Sequence, residues 1–523
     1  MGSNQLQILV AMGIYMAVVI GIGLYYAKRA TTNSDYYLIG GRKLGPWVTA
    51  MAAEASDMSG WLLMGLPGLA YWCGLSDAVW TAIGLLIGTY LNWLFVARRL
   101  RRYSVEAGDA ITIPDFFSNR FQEKKKVLMT IASLFILVFF TVYASSCFVT
   151  VGKLFANIFG ANYQLMMVLG ALFVISYTFI GGFLAESASD FMQGVVMFFS
   201  LVTVLAAGTK LAGGWPAVVA NIRKIPGFLE FFGIAQPVTA NGLQQLGADG
   251  QPLFGPARPY GWLTVVSTLS WGLGYFGMPQ VLLKFMAIKK TEELVISRRV
   301  ATVWCAISLA AAVGIGLIGR AVYPAAFLTQ SEAENIFILL STNLFLPLLA
   351  GIVMAGILAA TISSSDSYLL IAASAFSKSL YQGIMKKEAS DREVLTITRC
   401  TLLVIAGLAM LIALDENSVI FKIVSFAWAG FGATFGPVML FSLFWKRTTW
   451  AGALAGMVTG GSMVFIWNYR LKPLGGLFGI YELLPAFLLS CAAIVLVSLL
   501  TPEPSPAIQA QFEKVRTAGR ELA

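Results

Sequence analysis

Apolar runs close to the ~20-residue length of a bilayer-crossing helix recur from one end of this chain to the other. Hydrocarbon offers the backbone no hydrogen-bond partners, so segments of this kind must bond internally as helices. The reading is an all-α integral membrane protein with spans near 6–27, 46–72, 76–97, 127–157, 163–184, 187–209, 260–282, 300–319, 345–377, 395–414, 419–445, 449–468 and 479–500, about thirteen helices. Only 12% of the 523 residues are charged, against about 25% in soluble domains. That little charge cannot clothe a water-facing surface, which excludes soluble enzymes and nucleic-acid-binding modules. The first run lacks a small-residue cleavage site and is expected to be a span, not a signal peptide.

Charge sets orientation. With the N-terminus outside, the inner segments hold 27 of the 36 basic residues, among them Lys28, Arg29, Arg42, Arg120, Lys284, Arg298, Arg299 and Arg520. The opposite orientation would violate the positive-inside bias. The net charge of +10 therefore points to cytoplasmic loops in the plasma membrane, N-terminus out and C-terminus in. There is no histidine, which removes imidazole proton relays and His-based metal sites. Cys73, Cys147, Cys305, Cys400 and Cys491 are scattered through apolar stretches and read as small buried core residues. The tail after Pro502 is polar and reads as a disordered terminus.

Two spans cannot be continuous helices. Ala53 to Trp61 places Glu54, Ser56, Asp57, Ser59 and Gly60 at membrane depth, and Trp271 to Pro279 packs three glycines and a proline into nine residues. Backbone groups freed this way persist in a membrane only where they line a cavity or bind something. One interrupted span begins a group of five and the other begins the next five. An odd number inserts the second group upside down, and breaks at matching places of inverted halves point to a transporter's central site. The chain accordingly divides into 1–45 (an extra helix and inner loop), 46–210 (first repeat), 211–259 (outer loop, with a short amphipathic piece at Trp215–Ile222), 260–447 (second repeat), 448–500 (two closing helices) and 501–523 (tail).

A charge at the bilayer centre costs roughly 2.5–3.5 kcal/mol on insertion scales. Asp57 thus reads as a cation-coupling or gating group, or as the N-cap of the second half-helix. Glu54 fits an inner vestibule or a plain interfacial residue. Glu186 and Asp190 fit an ion exit or a cytoplasmic face. In Ala360-Thr361-Ile362-Ser363-Ser364-Ser365-Asp366-Ser367, Ser363 and Ser364 offer neutral oxygens, which a hard ion such as sodium favours, or they only satisfy their own helix.

Four stretches carry a resemblance: Gly40 to Pro46, Ala55 to Gly68, Trp271 to Gly277, and Ala427 to Ala433 with Phe435-Gly436-Pro437. With them the chain, over about residues 6–500, resembles the sodium/solute symporter family, and within it the sodium/proline symporters. The resemblance implies a LeuT-type five-plus-five inverted repeat with two broken helices. It also implies sodium bound by backbone oxygens of Ala55, Met58 and Ala360 with the hydroxyls of Ser363 and Ser364, Asp57 serving sodium affinity or gating. Substrate would lie among Ser59, Gly60, Trp271, Tyr275 and Pro279, with Tyr143 nearby. Three positions depart from the proline-symporter pattern: Met278 and Gln280 stand where Gln and His are usual, and Tyr368 where Gln is.

The expected function is sodium-coupled uptake of L-proline by alternating access, not enzymatic catalysis, with sodium as the co-transported ion. The expected partners are the bilayer and a small-molecule substrate, with no nucleic acid and no obligate protein. The rivals are another amino acid or small carboxylate as substrate, a proton-coupled version, a channel, and a transporter-like sensor. The last would append a large cytoplasmic domain, where about 23 residues follow Leu500.

Overall fold

Ten helices among the described residues are long and apolar enough to cross a membrane. This is seen in a computed structural model that describes residues 2–30 and 38–517, with the side chains of 26–30 and 180–182 left aside. The side chains of Lys28 and Arg29, and Arg520 in the tail, lie outside that description. The three further expected spans fall on interrupted or short helices. These are Pro46–Asp57 followed by Trp61–Cys73, the apolar piece Tyr163–Phe179, and Trp262–Leu269 followed by Pro279–Ala287.

Two separate spans were expected over 163–184 and 187–209. The backbone is instead helical throughout Tyr163–Leu211. Twelve residues of straight helix advance ~18 Å, yet the Tyr177 hydroxyl donates to Ser189 Oγ at 2.6 Å. The run therefore bends sharply between these two residues, and the crossings Tyr163–Phe179 and Phe183–Leu211 meet without an irregular connection.

Small residues let the helices approach closely, as membrane helices require in the absence of a hydrophobic drive between them. A β-carbon at Gly272 would fall 2.2 Å from the Gly84 carbonyl, and one at Gly316 would fall 2.3 Å from the Pro67 carbonyl. The helix Pro347–Ser374, which carries the serine cluster, is buried along nearly its whole length.

Four expectations need correction. The outer segment does form the helix Trp215–Ile222, but an antiparallel ribbon follows, Gly233–Pro237 paired with Phe254–Pro259, with a smaller pair at Thr239–Ala240 and Leu243–Gln244. Strands this short and rich in Gly and Pro show no alternation to read. The tail is not wholly disordered: Pro506–Thr517 is a helix whose Ile508, Phe512 and Val515 are buried. Phe512 packs on Tyr103 and on the guanidinium of Arg120, 5.4 Å from its ring centroid. Arg120 is itself fully buried and so does not mark a solvent-facing loop. Cys400 is exposed and Cys491 half-buried, because each sits on the outward face of its helix.

Candidate functional site

The first broken helix stops because its carbonyls run out of partners. Met58 leaves helical geometry (φ −86°, ψ 75°) while its N–H still donates to the Glu54 carbonyl at 2.8 Å. Ser59 N–H, which would reach Ala55 in a continuous helix, donates instead to the Asp57 carbonyl at 3.1 Å. The Ala55 carbonyl is thereby freed in the way helix C-termini leave acceptors open. Two hydroxyls from the serine helix take it, Ser363 Oγ at 2.8 Å and Ser364 Oγ at 3.3 Å; Ser363 Oγ also lies 3.2 Å from the Ala360 carbonyl. Ala55, Ala360, Ser363 and Ser364 are thus one cluster of neutral oxygens, buried, with Met58 closing the helix end beside it. A hydroxyl that now donates to a carbonyl keeps lone pairs, so rotation of its hydrogen turns the group toward a small cation.

Asp57 sits at the centre. Its backbone carbonyl accepts from Trp61 Nε1 at 3.4 Å, the Tyr143 hydroxyl at 3.4 Å and the Tyr368 hydroxyl at 3.5 Å. Its side-chain Oδ1 accepts from Gln280 Nε2, on the second broken helix, at 3.1 Å. Asp57 Oδ2, Ser59 Oγ, Tyr275 hydroxyl and Gln280 Oε1 are buried without a hydrogen-bond partner among the described residues. Buried polar atoms are rarely left so, and four of them in one place make a site for a polar guest.

The second broken helix runs Trp262–Leu269, tightens over Ser270–Gly277, leaves helical geometry at Met278 (φ −77°, ψ 108°) and resumes at Pro279. Proline suits that first helical position, where its missing N–H costs nothing. The glycines are dictated by contact: a β-carbon at Gly274 would fall 1.9 Å from Trp428 Nε1, and one at Gly277 would fall 2.4 Å from the Phe431 carbonyl. Trp428 Nε1 donates to the Trp271 carbonyl at 2.8 Å, and Asn92 Nδ2 donates to the Tyr275 carbonyl at 2.9 Å. Trp271 is enclosed by Trp61, Phe421, Trp428 and Tyr481, with ring centroids 5.1–6.3 Å away. Tyr143 stacks on Tyr368 at 4.3 Å. Gly60 faces the helix Val127–Phe159, where a β-carbon would lie 2.3 Å from Thr150 Oγ1.

The remaining acids are buried. Glu54 is buried and not at an interface; its Oε1 accepts from Trp93 Nε1 at 3.3 Å, while its Oε2 has no hydrogen-bond partner among the described residues. Lys284 corrects the charge count: it is buried, not a surface cation, and its ammonium donates to Glu186 at 2.8 Å, Ser187 at 3.0 Å and Asp190 at 3.3 Å. Ser367 donates to the same Glu186 carboxylate, and Asp366 lies beside it. Glu186 and Asp190 therefore belong to an internal knot that ties the second broken helix to the serine helix.

The sodium:solute symporter family model matches residues 36–460. The chain belongs to the sodium:solute symporter family. Two sodium/proline symporters of Staphylococcus aureus, from strains USA300 / TCH1516 and JH9, are each 42% identical to it, covering 98% of this chain and 97% of theirs. Among solved structures, a substrate-bound outward-open sodium-coupled sialic acid symporter superposes with a TM-score of 0.75 at 17% identity, covering 95% of this chain and 99% of that one. Mhp1, a nucleobase-cation-symport-1 family transporter, gives 0.51 at 13% identity, covering 93% and 100%. At such identities the likeness carries the fold, which is LeuT-type with two broken helices.

As a member of this symporter family the protein is a multi-pass membrane transporter with sodium as its co-transported ion, and not an enzyme. Within the family frame, the residues that sequence reading passed over are Gln280 as partner of Asp57, Lys284 as a buried counter-charge, and Trp428 with Tyr481 around Trp271. Gln280 and Lys284 lie four residues apart on Pro279–Ala287, a helix buried on every side. A lysine within an otherwise apolar buried helix was the available signal for the knot.

Proposed function

We propose that the protein carries L-proline into the cell together with sodium, across the plasma membrane, with its N-terminus outside and C-terminus inside. The observation that carries this reading is the junction of Ser363 and Ser364 hydroxyls on the freed Ala55 carbonyl, two residues from the buried Asp57. Sodium is held by the oxygens of Ala55, Met58, Ala360, Ser363 and Ser364, with Asp57 raising affinity from beside the ion. Full-length likeness to sodium/proline symporters supports proline as the guest. Its carboxylate suits the half-helix start at Ser59 and Gly60, and its ring and cationic nitrogen suit the walls of Trp271, Tyr275 and Tyr143, with Pro279 at the second break. Residues 46–210 and 260–447 serve as the two inverted repeats.

Sodium binds first, fixes the broken helix at Met58, and so raises affinity for substrate, a positive coupling between two sites. One sodium crossing 100 mV supplies roughly 2.3 kcal/mol, about fifty-fold accumulation before any chemical gradient is added. Uptake of labelled proline into proteoliposomes tests the reading: replacing sodium by potassium or choline abolishes accumulation. Uptake that persists without sodium and follows pH alone contradicts it. Met278, Gln280 and Tyr368 differ from the proline-symporter pattern, so competition by a panel of amino acids and small carboxylates decides among substrates.

A further inference from the structure

A groove of about 490 Å³ runs down the outside of the first broken helix, between Phe183–Leu211 and Leu294–Val322. Phe191, Val195 and Phe199 form one wall, Val303 and Trp304 the other, and Met51 the floor. The walls are joined where Trp304 Nε1 donates to the Gly194 carbonyl at 3.0 Å. The lining is apolar except at one end, where the exposed Arg299 stands beside Trp47, 58% exposed and one residue into the broken helix. Both residues lie at the level where Ser297 Oγ donates to the Pro46 carbonyl at 2.8 Å, the junction of the two helices' starts.

Arg299 has no ion-pair, hydrogen-bond or ring partner among the described residues. Its neighbour Arg298 turns the other way, over the Tyr90 ring at 5.5 Å. A cation and a tryptophan at one end of a membrane-facing apolar slot match the shape of a single amphiphile: Trp marks the headgroup level, and guanidinium binds phosphate oxygens in bidentate fashion. In the orientation proposed above this end faces the cytoplasmic leaflet, whose lipids are anionic.

We propose that the groove is a binding site for an anionic phospholipid, its phosphate on Arg299 and an acyl chain lying along Val303 and Phe199 onto Met51. The chain would brace the inner half of the first broken helix one layer behind Ala55, because a β-carbon placed at Gly194 reaches both Met51 Cε (2.9 Å) and Ala55 Cβ (3.4 Å). The lipid thus stabilises the element whose end forms the cation site.

The full-length protein in mild detergent is offered phosphatidylglycerol or phosphatidylcholine, and retained lipid is read by native mass spectrometry, independently of what the transporter carries. The wild type retains phosphatidylglycerol about five-fold better, equivalent to ~1 kcal/mol for one basic residue. Arg299→Gln erases the preference, Arg298→Gln leaves it intact, and inorganic phosphate does not displace the lipid. Equal retention of the two lipids by the wild type, an unchanged preference in Arg299→Gln, or displacement by phosphate alone overturns the proposal.

Discussion

Ser363 and Ser364 meet the first broken helix at a carbonyl, Ala55 O, that the helix itself cannot use. Replacing both with alanine removes two oxygens from the proposed cation cluster while keeping small side chains at the buried contact of the two helices. The expected result is a rise of about ten-fold or more in the sodium concentration for half-maximal uptake, ~1.4 kcal/mol, at unchanged protein level in the membrane; sodium titration of uptake checks it. Lys284→Met has a different signature. It strands Glu186 and Asp190 in the interior, where breaking a buried pair costs about 3–5 kcal/mol. Thermal unfolding in detergent should show a large loss, partly recovered by adding Glu186→Gln. Ser363 and Ser364 were legible as candidate ligands because hydroxyls at membrane depth demand an explanation, whereas Ala55, Met58 and Ala360 came with the family resemblance. Lys284 stands out as a charge in an apolar helix, but its partners and that of Gln280 were not legible, since they lie 98 and 223 residues away.

Both breaks could be read at the scale of elements because Gly and Pro act locally: Pro removes a helical hydrogen bond and Gly weakens the helix where it stands. The second break is the stricter, with Gly277 against the Phe431 carbonyl. Gly277→Ala forces backbone apart, an overpacking cost of about 1–3 kcal/mol; the expected outcome is loss of substrate-dependent stabilisation in a thermal-shift assay together with a lower melting temperature. Wild-type stabilisation by substrate in this variant removes the close-contact account. The bend between Tyr177 and Ser189, the outer ribbon and the docked tail helix were illegible for separate reasons. The bend passes through Gly181-Gly182, but its backbone stays helical, so the pair does not end a helix there; the strands are too short for a period. Ile508, Phe512 and Val515 did carry a helical spacing, but their binding surface on Tyr103 and Arg120 comes from residues some 400 positions earlier.

At the scale of the molecule, charge placement gives the proposed orientation, and topology follows from it. Ser3→Cys should react with a membrane-impermeant maleimide in intact cells and Thr517→Cys only after lysis, in a background lacking the exposed Cys400; the reverse pattern inverts the topology. In the proposed machine, built on the LeuT-type architecture and its two broken helices, a cation end-caps a broken helix and a solute fills the space beside it. The central claim is that these two events are coupled one to the other. Simultaneous measurement of labelled sodium and labelled proline entering the same proteoliposomes tests it most directly. The account predicts that proline stimulates sodium entry and sodium stimulates proline entry, with both effects moved to about ten-fold higher sodium in the Ser363→Ala, Ser364→Ala protein; proline entry that carries no sodium, or wild-type sodium dependence of coupled entry in the double variant, contradicts it.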